Sequence, residues 1–160
     1  MTKVEHTLEP IYDGHSKTLI LGSMPSETSR TVNKYYGHPQ NRFWQIMSSL
    51  YETEIEDWQN FILNHRLALW DVIASCEIDK SSDSSIRNVI PNDVPSLIKE
   101  TEIENIFLLG KSAYNLYNKH LKEKMGIEGI YLPSPSSANA TMTLEKLIER
   151  YSIIKEVTEE

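Results

Sequence analysis

TLILG, residues 18–22, is a short apolar run that ends at a glycine, a pattern typical of a buried strand. Three further runs have the same character: LALWDVI at 67–73, IFLL at 106–109 and IYL at 130–132. Continuous rather than alternating apolar residues indicate a sheet that is buried on both faces. The sequence therefore predicts four strands in one central sheet.

Helical patterns fill the gaps between these runs. Apolar residues recur at helical spacing in four segments, residues 43–51, 55–62, 113–121 and 144–154. Thr143 is suited to cap the last of these helices. Strands that alternate with helices predict a parallel sheet covered on both faces. We therefore expect an α/β protein, a three-layer α/β/α sandwich with a four-stranded parallel central sheet.

The length and composition are those of an ordinary globular domain. The 160 residues are 39% hydrophobic and 24% charged, and we expect a single domain over residues 1–160 with its core at about 18–155. The chain opens without an apolar leader and has no run of ~18 apolar residues, so we expect a cytoplasmic protein, and a monomer.

The net charge of −7 counts against nucleic-acid binding on bulk grounds, because phosphate contacts normally come from a basic face. The charge is uneven, however. Residues 29–42 contain Arg30, Lys34 and Arg42 and no acidic residue. A local basic surface is therefore still expected.

Several chemistries are excluded or disfavoured. Cys76 is the single cysteine, so no internal disulfide or cysteine-ligated iron–sulfur cluster can form, and we interpret it as a partly buried residue of a loop. The five histidines form no paired metal-ligand spacing, and no phosphate-binding, dinucleotide-binding or serine-hydrolase motif occurs. We therefore expect no metal and no cofactor.

Three turn-rich segments, residues 23–40, 74–93 and 133–140, each follow a predicted strand. Ligands of open α/β sheets bind at the carboxyl ends of the strands, and long loops in a small domain are usually functional. The functional site is therefore expected where these three segments meet.

The first segment opens with Gly22-Ser23-Met24-Pro25-Ser26. A glycine at a strand end lets a ligand approach the backbone, and the turn after it can point N–H groups at an anion or a carbonyl oxygen. A plain tight turn would have the same composition.

Its continuation is Tyr35-Tyr36-Gly37-His38-Pro39-Gln40-Asn41-Arg42-Phe43-Trp44. Aromatic rings stack on bases and arginine meets phosphates, so the mixture is suited to a nucleic acid. Phe43 and Trp44 could instead be the first core residues of the next helix, an alternative that fits Tyr36, His38 and Asn41 less well.

The third segment is rich in proline and serine. Two prolines stiffen it, and its hydroxyl and amide groups could grip a phosphodiester without positive charge. A simple linker is the alternative. The residues concerned are Leu132-Pro133-Ser134-Pro135-Ser136-Ser137-Ala138-Asn139-Ala140.

Together the three segments resemble the uracil-DNA glycosylase superfamily. Its mismatch-specific branch has a glycine–proline turn after the first strand, an Asn-Arg-Phe-Trp helix start and a proline–serine loop after the last strand. The DNA-deoxyinosine (hypoxanthine) branch is more similar, since it shares the ten residues 35–44, Leu-Trp-Asp-Val at 69–72 and Asp-Ser-Ser-Ile-Arg-Asn at 83–88.

The resemblance implies roles for individual residues. Phe43 would stack on the base, and the turn at 22–26 would line the base pocket together with Tyr36 and Asp71. Methionine at position 24 replaces the water-activating Asn or Asp of other branches. Asn41 is then the candidate that positions water, with His38 as a donor to the base or a phosphate.

The resemblance further implies that DNA is held by Arg42, Lys111 and residues 133–139. Lys111 as a Schiff-base nucleophile is disfavoured, because its place at a helix start suits a phosphate or structural contact. Leu109 stands where this branch would have a polar residue, which leaves the base preference open.

The activity so implied is hydrolysis of the N-glycosidic bond of a deaminated base in DNA, with hypoxanthine favoured over uracil or xanthine, in base-excision repair. The base would be flipped into a slot at the meeting point of the three segments, with the Phe43 ring as its floor. Two alternatives remain: an inactive nucleic-acid-binding module of the same fold, favoured by Met24, and a hydrolase of free nucleosides or nucleotides, favoured by the acidic charge.

Overall fold

The computed structural model of the protein describes residues 2–79 and 85–160. Its central sheet contains four parallel strands, and this confirms the predicted fold class. In chain order these strands are β2 (Thr18–Gly22), β3 (Leu67–Asp71), β6 (Asn105–Leu109) and β7 (Gly129–Leu132). Their order across the sheet is β3-β2-β6-β7, so the chain leaves β2 toward one neighbour and returns on the other side. Such a switch point opens a crevice at the carboxyl end of β2.

Helices cover both faces of this sheet. Their bounds are α1 (Glu27–Val32), α2 (Phe43–Leu50), α3 (Trp58–Asn64), α4 (Val94–Lys99), α5 (Lys111–His120), α6 (Lys122–Met125) and α7 (Leu144–Thr158). The four predicted helices correspond to α2, α3, α5 and α7, and Thr143 caps α7 by accepting from the Lys146 N–H. In the described part of the chain, no helix is both long and apolar enough to cross a membrane.

Alternate residues of the strands supply two separate cores. Ile20 and Phe107 face the core formed with α2, α3 and α7, whereas Leu19 and Leu108 face the core formed with α4 and α5. All four side chains are fully buried. Burial on both faces explains why these strands are apolar throughout their length.

A second, antiparallel sheet was not predicted. It contains β1 (Thr2–Glu5), β4 (Ile73–Ile78) and β5 (Arg87–Pro91) in the order β1-β4-β5. The run 67–73, predicted as one strand, is divided at Val72, where the chain leaves β3 and enters β4. The predicted loop over 74–93 therefore contains most of β4 and all of β5, and Cys76 is buried within a strand rather than partly buried in a loop.

Candidate active site

The turn after β2 is anchored through its carbonyl groups. The Gly22 and Ser23 carbonyl oxygens accept from the N–H groups of Val72 and Ile73, at 2.8 and 3.0 Å. Within the described chain, the Ser23 and Met24 N–H groups donate to no other group. The turn is thus held in place while two donors stay available to a ligand.

Pro25 and Ser26 stabilise this turn and the start of α1. Pro25 is buried and its carbonyl accepts from the Arg30 guanidinium, and the Ser26 hydroxyl caps α1 by accepting from the Ser29 N–H. The predicted segment 23–40 therefore contains a helix. Because the Ser26 side chain points along α1, its expected place in a base pocket stays a prediction.

Glycine is required at position 22 because two polar groups approach it closely. A Cβ atom at this position would lie 2.6 Å from Asp71 Oδ1 and 3.2 Å from the Tyr36 hydroxyl. The first contact is shorter than real Cβ atoms tolerate. The segments after β2 and β3 and the segment 35–44 thus meet at this glycine.

Two aromatic residues anchor the segment 35–44. Tyr35 is buried and donates through its hydroxyl to the Glu9 carbonyl at 3.0 Å, and the Trp44 indole donates to the Tyr35 carbonyl at 2.8 Å. Trp44 is therefore part of the packing, as the structural alternative proposed.

Tyr36, between these anchors, has a left-handed backbone with φ of 55°. Such a conformation is rare for an aromatic residue and costs about 1–3 kcal/mol. It turns the side chain so that the ring stacks on Phe43, with 4.2 Å between the ring centres, and stays half-exposed. The conformation therefore places a partly exposed aromatic residue beside Gly22.

The Tyr36 hydroxyl oxygen is buried and has no hydrogen-bond partner among the described residues. Burial, and after it the Asp71 carboxylate, raises the pKa of Tyr36 well above its ordinary value. The hydroxyl therefore stays protonated and remains a donor. A buried donor without a partner costs about 1–3 kcal/mol, which a ligand or water could recover.

Phe43 does not form the exposed floor that the sequence predicted. Its ring is fully buried, with α2 and α7 packed around it, and Tyr36 covers one face. The reason is that Phe43 is the first residue of the apolar stripe of α2. Phe43 therefore packs against the buried face of the Tyr36 ring, and Tyr36 rather than Phe43 borders the site.

Asn41 and His38 lie in the turn before α2. The Asn41 side-chain oxygen accepts from the Phe43 N–H at 2.9 Å, and the His38 Nδ1 accepts from the Gln40 N–H at 3.1 Å. Asn41 is half-buried and His38 is exposed. Both side chains have local structural partners, and their catalytic roles stay predictions.

Asp71, at the end of β3, is 3% exposed and has a partner that the sequence did not suggest. His6 Nε2 lies 2.8 Å from Asp71 Oδ2, and each side chain is 4% exposed. Because an ionised carboxylate only accepts, the imidazole is the donor. Sixty-five residues separate the pair, so no local pattern marked His6.

We refer to Gly22, Ser23, Met24, Tyr36 and Asp71 as the base slot. It combines two backbone donors, one phenolic donor, one carboxylate acceptor and a half-exposed ring. Asn92 supports it from the segment 74–93 by donating to the Asp71 and Ile73 carbonyl groups. Asp83 and Ser84, part of the sequence resemblance, lie outside the described residues.

The proline–serine loop, residues 133–142, is held by its own hydrogen bonds. The Ser134 hydroxyl accepts from the Ser136 N–H, the Ser136 hydroxyl accepts from the Ala138 N–H, and the Asn139 amide donates to the Ser134 carbonyl. Pro133 and Pro135 are buried, so they anchor the loop rather than offering contact surface, and Ser137 is exposed at its tip.

Arg42 binds the proline–serine loop. Its guanidinium donates to four carbonyl groups of the proline–serine loop, and its backbone N–H donates to one of them as well. The acceptors are Pro135, Ser136, Asn139 and Met142. With these donors engaged, Arg42 positions the loop, and its expected phosphate contact stays a prediction.

Lys111 lies beside the same loop. It is the exposed first residue of α5, directly after Gly110, which has φ of 99° and packs against Ser134. Its ammonium is therefore placed for a phosphate contact, which stays a prediction. Leu109 is 6% exposed and belongs to the core.

No group of three or more potential metal ligands occurs among residues 2–79 and 85–160. The polar groups of the base slot are suited to a neutral ligand with both acceptor and donor atoms. Such a ligand would stack on Tyr36 and place its polar edge between the turn and Asp71.

Comparison with known proteins agrees with this geometry. Residues 9–155 match the model of the uracil DNA glycosylase superfamily. A hypoxanthine DNA glycosylase of Methanosarcina barkeri is 30% identical over 137 residues, covering 81% of this chain and 85% of the relative. A hypoxanthine DNA glycosylase of Methanosarcina acetivorans is 31% identical over 135 residues, with coverages of 81% and 84%.

A solved structure is similar over nearly the whole chain. It is the solution NMR structure of a proposed uracil DNA glycosylase from Methanosarcina acetivorans, with a TM-score of 0.83 and 27% identity. The match covers 99% of this chain and 100% of that one. The chain therefore belongs to the uracil DNA glycosylase superfamily and, as a member, is a DNA glycosylase.

Proposed function

We propose that this glycosylase removes hypoxanthine from DNA as the first step of base-excision repair. The names of the two curated relatives support this substrate. The observation that carries the proposal is the base slot, where a carboxylate acceptor and unpaired N–H donors lie beside a half-exposed ring. Hypoxanthine has the complementary edge, since its ring N1–H donates and its O6 accepts.

In the proposed complex the base stacks on the open face of Tyr36, supported from below by Phe43. Stacking on an aromatic ring contributes ~1–3 kcal/mol per base. O6 accepts from the N–H groups of Ser23 and Met24, and N1–H donates to Asp71 Oδ1. Because Tyr36 and Asp71 both approach Gly22, a base on the ring reaches the carboxylate.

A base can enter the slot only after its nucleotide has rotated out of the duplex, which costs a few kcal/mol and least for a mispaired base. We propose that the stiff tip of the proline–serine loop fills the space that the rotated nucleotide leaves in the DNA helix. Lys111 then contacts the adjoining phosphate. The loop is preorganised by Arg42, so little ordering entropy is lost when DNA binds.

The bond then breaks through an oxocarbenium-like state, as in other glycoside hydrolysis, and negative charge develops on the leaving base. The Ser23 and Met24 donors face that charge. Loss of one such preorganised donor costs ~2.7–4 kcal/mol in other enzymes. Met24 has no side-chain group that orients water, so we assign this role to the Asn41 amide.

The test is base release from duplexes that contain deoxyinosine, deoxyuridine or deoxyxanthosine, with EDTA present, scored as abasic sites. We expect release of hypoxanthine first. Free deoxyinosine is the control for a nucleoside hydrolase. Wild-type protein that releases no base from any duplex would refute the proposal.

The role of Asn41 is tested with two variants. Asn41→Asp keeps an oxygen for the Phe43 N–H but loses the amide donor, whereas Asn41→Ala loses both. If the amide orients water, both variants lose at least about 100-fold in single-turnover rate while still binding DNA. If the side chain only caps α2, Asn41→Asp keeps full activity. Asn60→Ala, at an exposed amide, is the matched control.

A further inference from the structure

His6 is a buried polar side chain with a single described partner at the base slot. Its Nε2 donates to Asp71 Oδ2 at 2.8 Å, and its ring lies 6.1 Å from that of Tyr35. It precedes residues 9–155, the part of the chain that matches the family model. His6 therefore reaches the slot from the strand β1 side of the chain, ahead of the segment that matches the family model.

The antiparallel sheet determines where this imidazole lies. β1 pairs with β4 in a register that sets Glu5 opposite Ser75, and the His6 N–H continues the ladder to the Ala74 carbonyl at 2.8 Å. Ala74 follows Asp71 by three residues. The backbone hydrogen bonds between β1 and β4 therefore place His6 at the carboxyl end of β3, next to the base slot.

The hydrogen bond from His6 leaves the carboxylate in one orientation. With Oδ2 held by the imidazole, Oδ1 lies close to Gly22, which the Tyr36 hydroxyl also approaches. A carboxylate that could rotate would present either oxygen, at varying distance, to a base on the Tyr36 ring. A fixed carboxylate presents a single acceptor, which accepts only from an N–H.

We propose that His6 is a positioning residue that orients Asp71 to select a base carrying a ring N–H. This inference rests on the proposed function. Adenine has a lone pair at N1, which a fixed carboxylate repels, whereas hypoxanthine has an N–H there. Discrimination by an unpaired polar group is stronger than discrimination by shape alone. Guanine also has N1–H, so this contact separates hypoxanthine from adenine only.

The test compares two substrates with His6 variants. One duplex contains deoxyinosine and the other contains deoxynebularine, whose purine base lacks O6 and N1–H. We expect His6→Ala to raise the KM for deoxyinosine about 10- to 100-fold, since a hydrogen bond to a charged group is lost in the slot. Its kcat should change little, because the contact serves recognition. Activity on deoxynebularine should stay the same or rise.

His6→Gln keeps an N–H donor at similar reach and should restore most of the preference for deoxyinosine. It also covers the case in which His6→Ala does not fold. His15→Ala is the matched control, because that imidazole has a side chain 85% exposed.

An equal loss on both substrates would overturn the proposal and assign His6 to stability or to the chemical step. An unchanged preference in His6→Ala would show that Asp71 is oriented without it. If wild-type protein releases no base at all, the proposed function fails, and this inference fails with it; a selective wild type with insensitive variants refutes only the inference.

Discussion

The proline–serine loop and the base slot lie at the same edge of the sheet, but they differ in how their polar groups are satisfied. In the loop, hydroxyl, amide and carbonyl groups bind one another or Arg42. In the slot, two backbone donors and the Tyr36 hydroxyl have no partner within the described chain. The polar groups of the loop are therefore paired within the protein, whereas three donors of the slot are not paired within the described chain.

This difference separates two kinds of preorganisation. In the proposed function the loop enters the DNA helix and needs stiffness, which internal hydrogen bonds provide. The slot, in the same proposal, needs donors that have no partner beforehand, since each existing partner would have to be displaced. In this proposal the unpaired Tyr36 hydroxyl lowers the stability of the free protein, and that cost is needed for the ligand to bind.

The largest effect is expected from filling the slot. Gly22→Ala puts a methyl group against Asp71 Oδ1 and the Tyr36 hydroxyl, so both must move. A displacement of about 1 Å in an active site can cost about 100-fold, and we expect at least that loss in single-turnover excision. Gly14→Ala is the control, since its nearest atom would be the Glu100 carbonyl at 3.8 Å. Near-normal excision by Gly22→Ala would show that the space beside Gly22 is not where the base binds.

The next effect tests the loop. Arg42→Lys keeps the positive charge but loses the fork that reaches several carbonyl groups. We expect the free energy of unfolding to fall by about 2–3 kcal/mol, with weaker DNA binding. Thermal melting and DNA titration measure these changes. Arg30→Lys, where one guanidinium bond to Pro25 is at stake, is the control. An Arg42→Lys variant with unchanged stability and normal DNA binding would show that the positive charge of residue 42, and not its hydrogen bonds to the loop, is what matters.

The smallest effect is expected from removing a single tyrosine hydroxyl group. Tyr36 and Tyr51 both have buried hydroxyl groups without a partner in the described structure. Removing either hydroxyl should raise the free energy of unfolding by about 1 kcal/mol, measured by urea titration. Only Tyr36→Phe should also slow excision, because Tyr51 lies beside Phe61 and His65, outside the slot. Equal activity of the two variants would contradict a role for the Tyr36 hydroxyl.

The sequence predicted the parallel sheet well because burial on both faces leaves a continuous apolar run, as in β2. It did not predict the hairpin of β4 and β5. The exposed strand β5 has only a two-residue β-branched run, Val89-Ile90, and the serine and asparagine around it are typical of loops. The change of sheet at Val72 is also invisible, because the apolar run continues across it.

The site was predicted in its segments and less well in its individual residues. Helical spacing did place Phe43 on the apolar stripe of α2, but the family resemblance assigned its ring to the base, and the stripe was the better guide. The exposure of Tyr36 depends on a left-handed backbone that no periodicity reveals. Arg42 was assigned to DNA because arginine often binds phosphate, but a guanidinium also satisfies loop carbonyl groups. His6 was not predicted because its partner, Asp71, lies 65 residues away in the sequence.

The pairing of β1 with β4 has a practical consequence for anyone who prepares this enzyme. A version trimmed to the family match at residues 9–155 would keep all four strands of the parallel sheet. It would nevertheless lose the imidazole that binds Asp71, together with the strand that carries it. If His6 orients Asp71 as proposed, a shortened protein loses selectivity for its base, so amino-terminal tags and truncations belong among the variables of any assay.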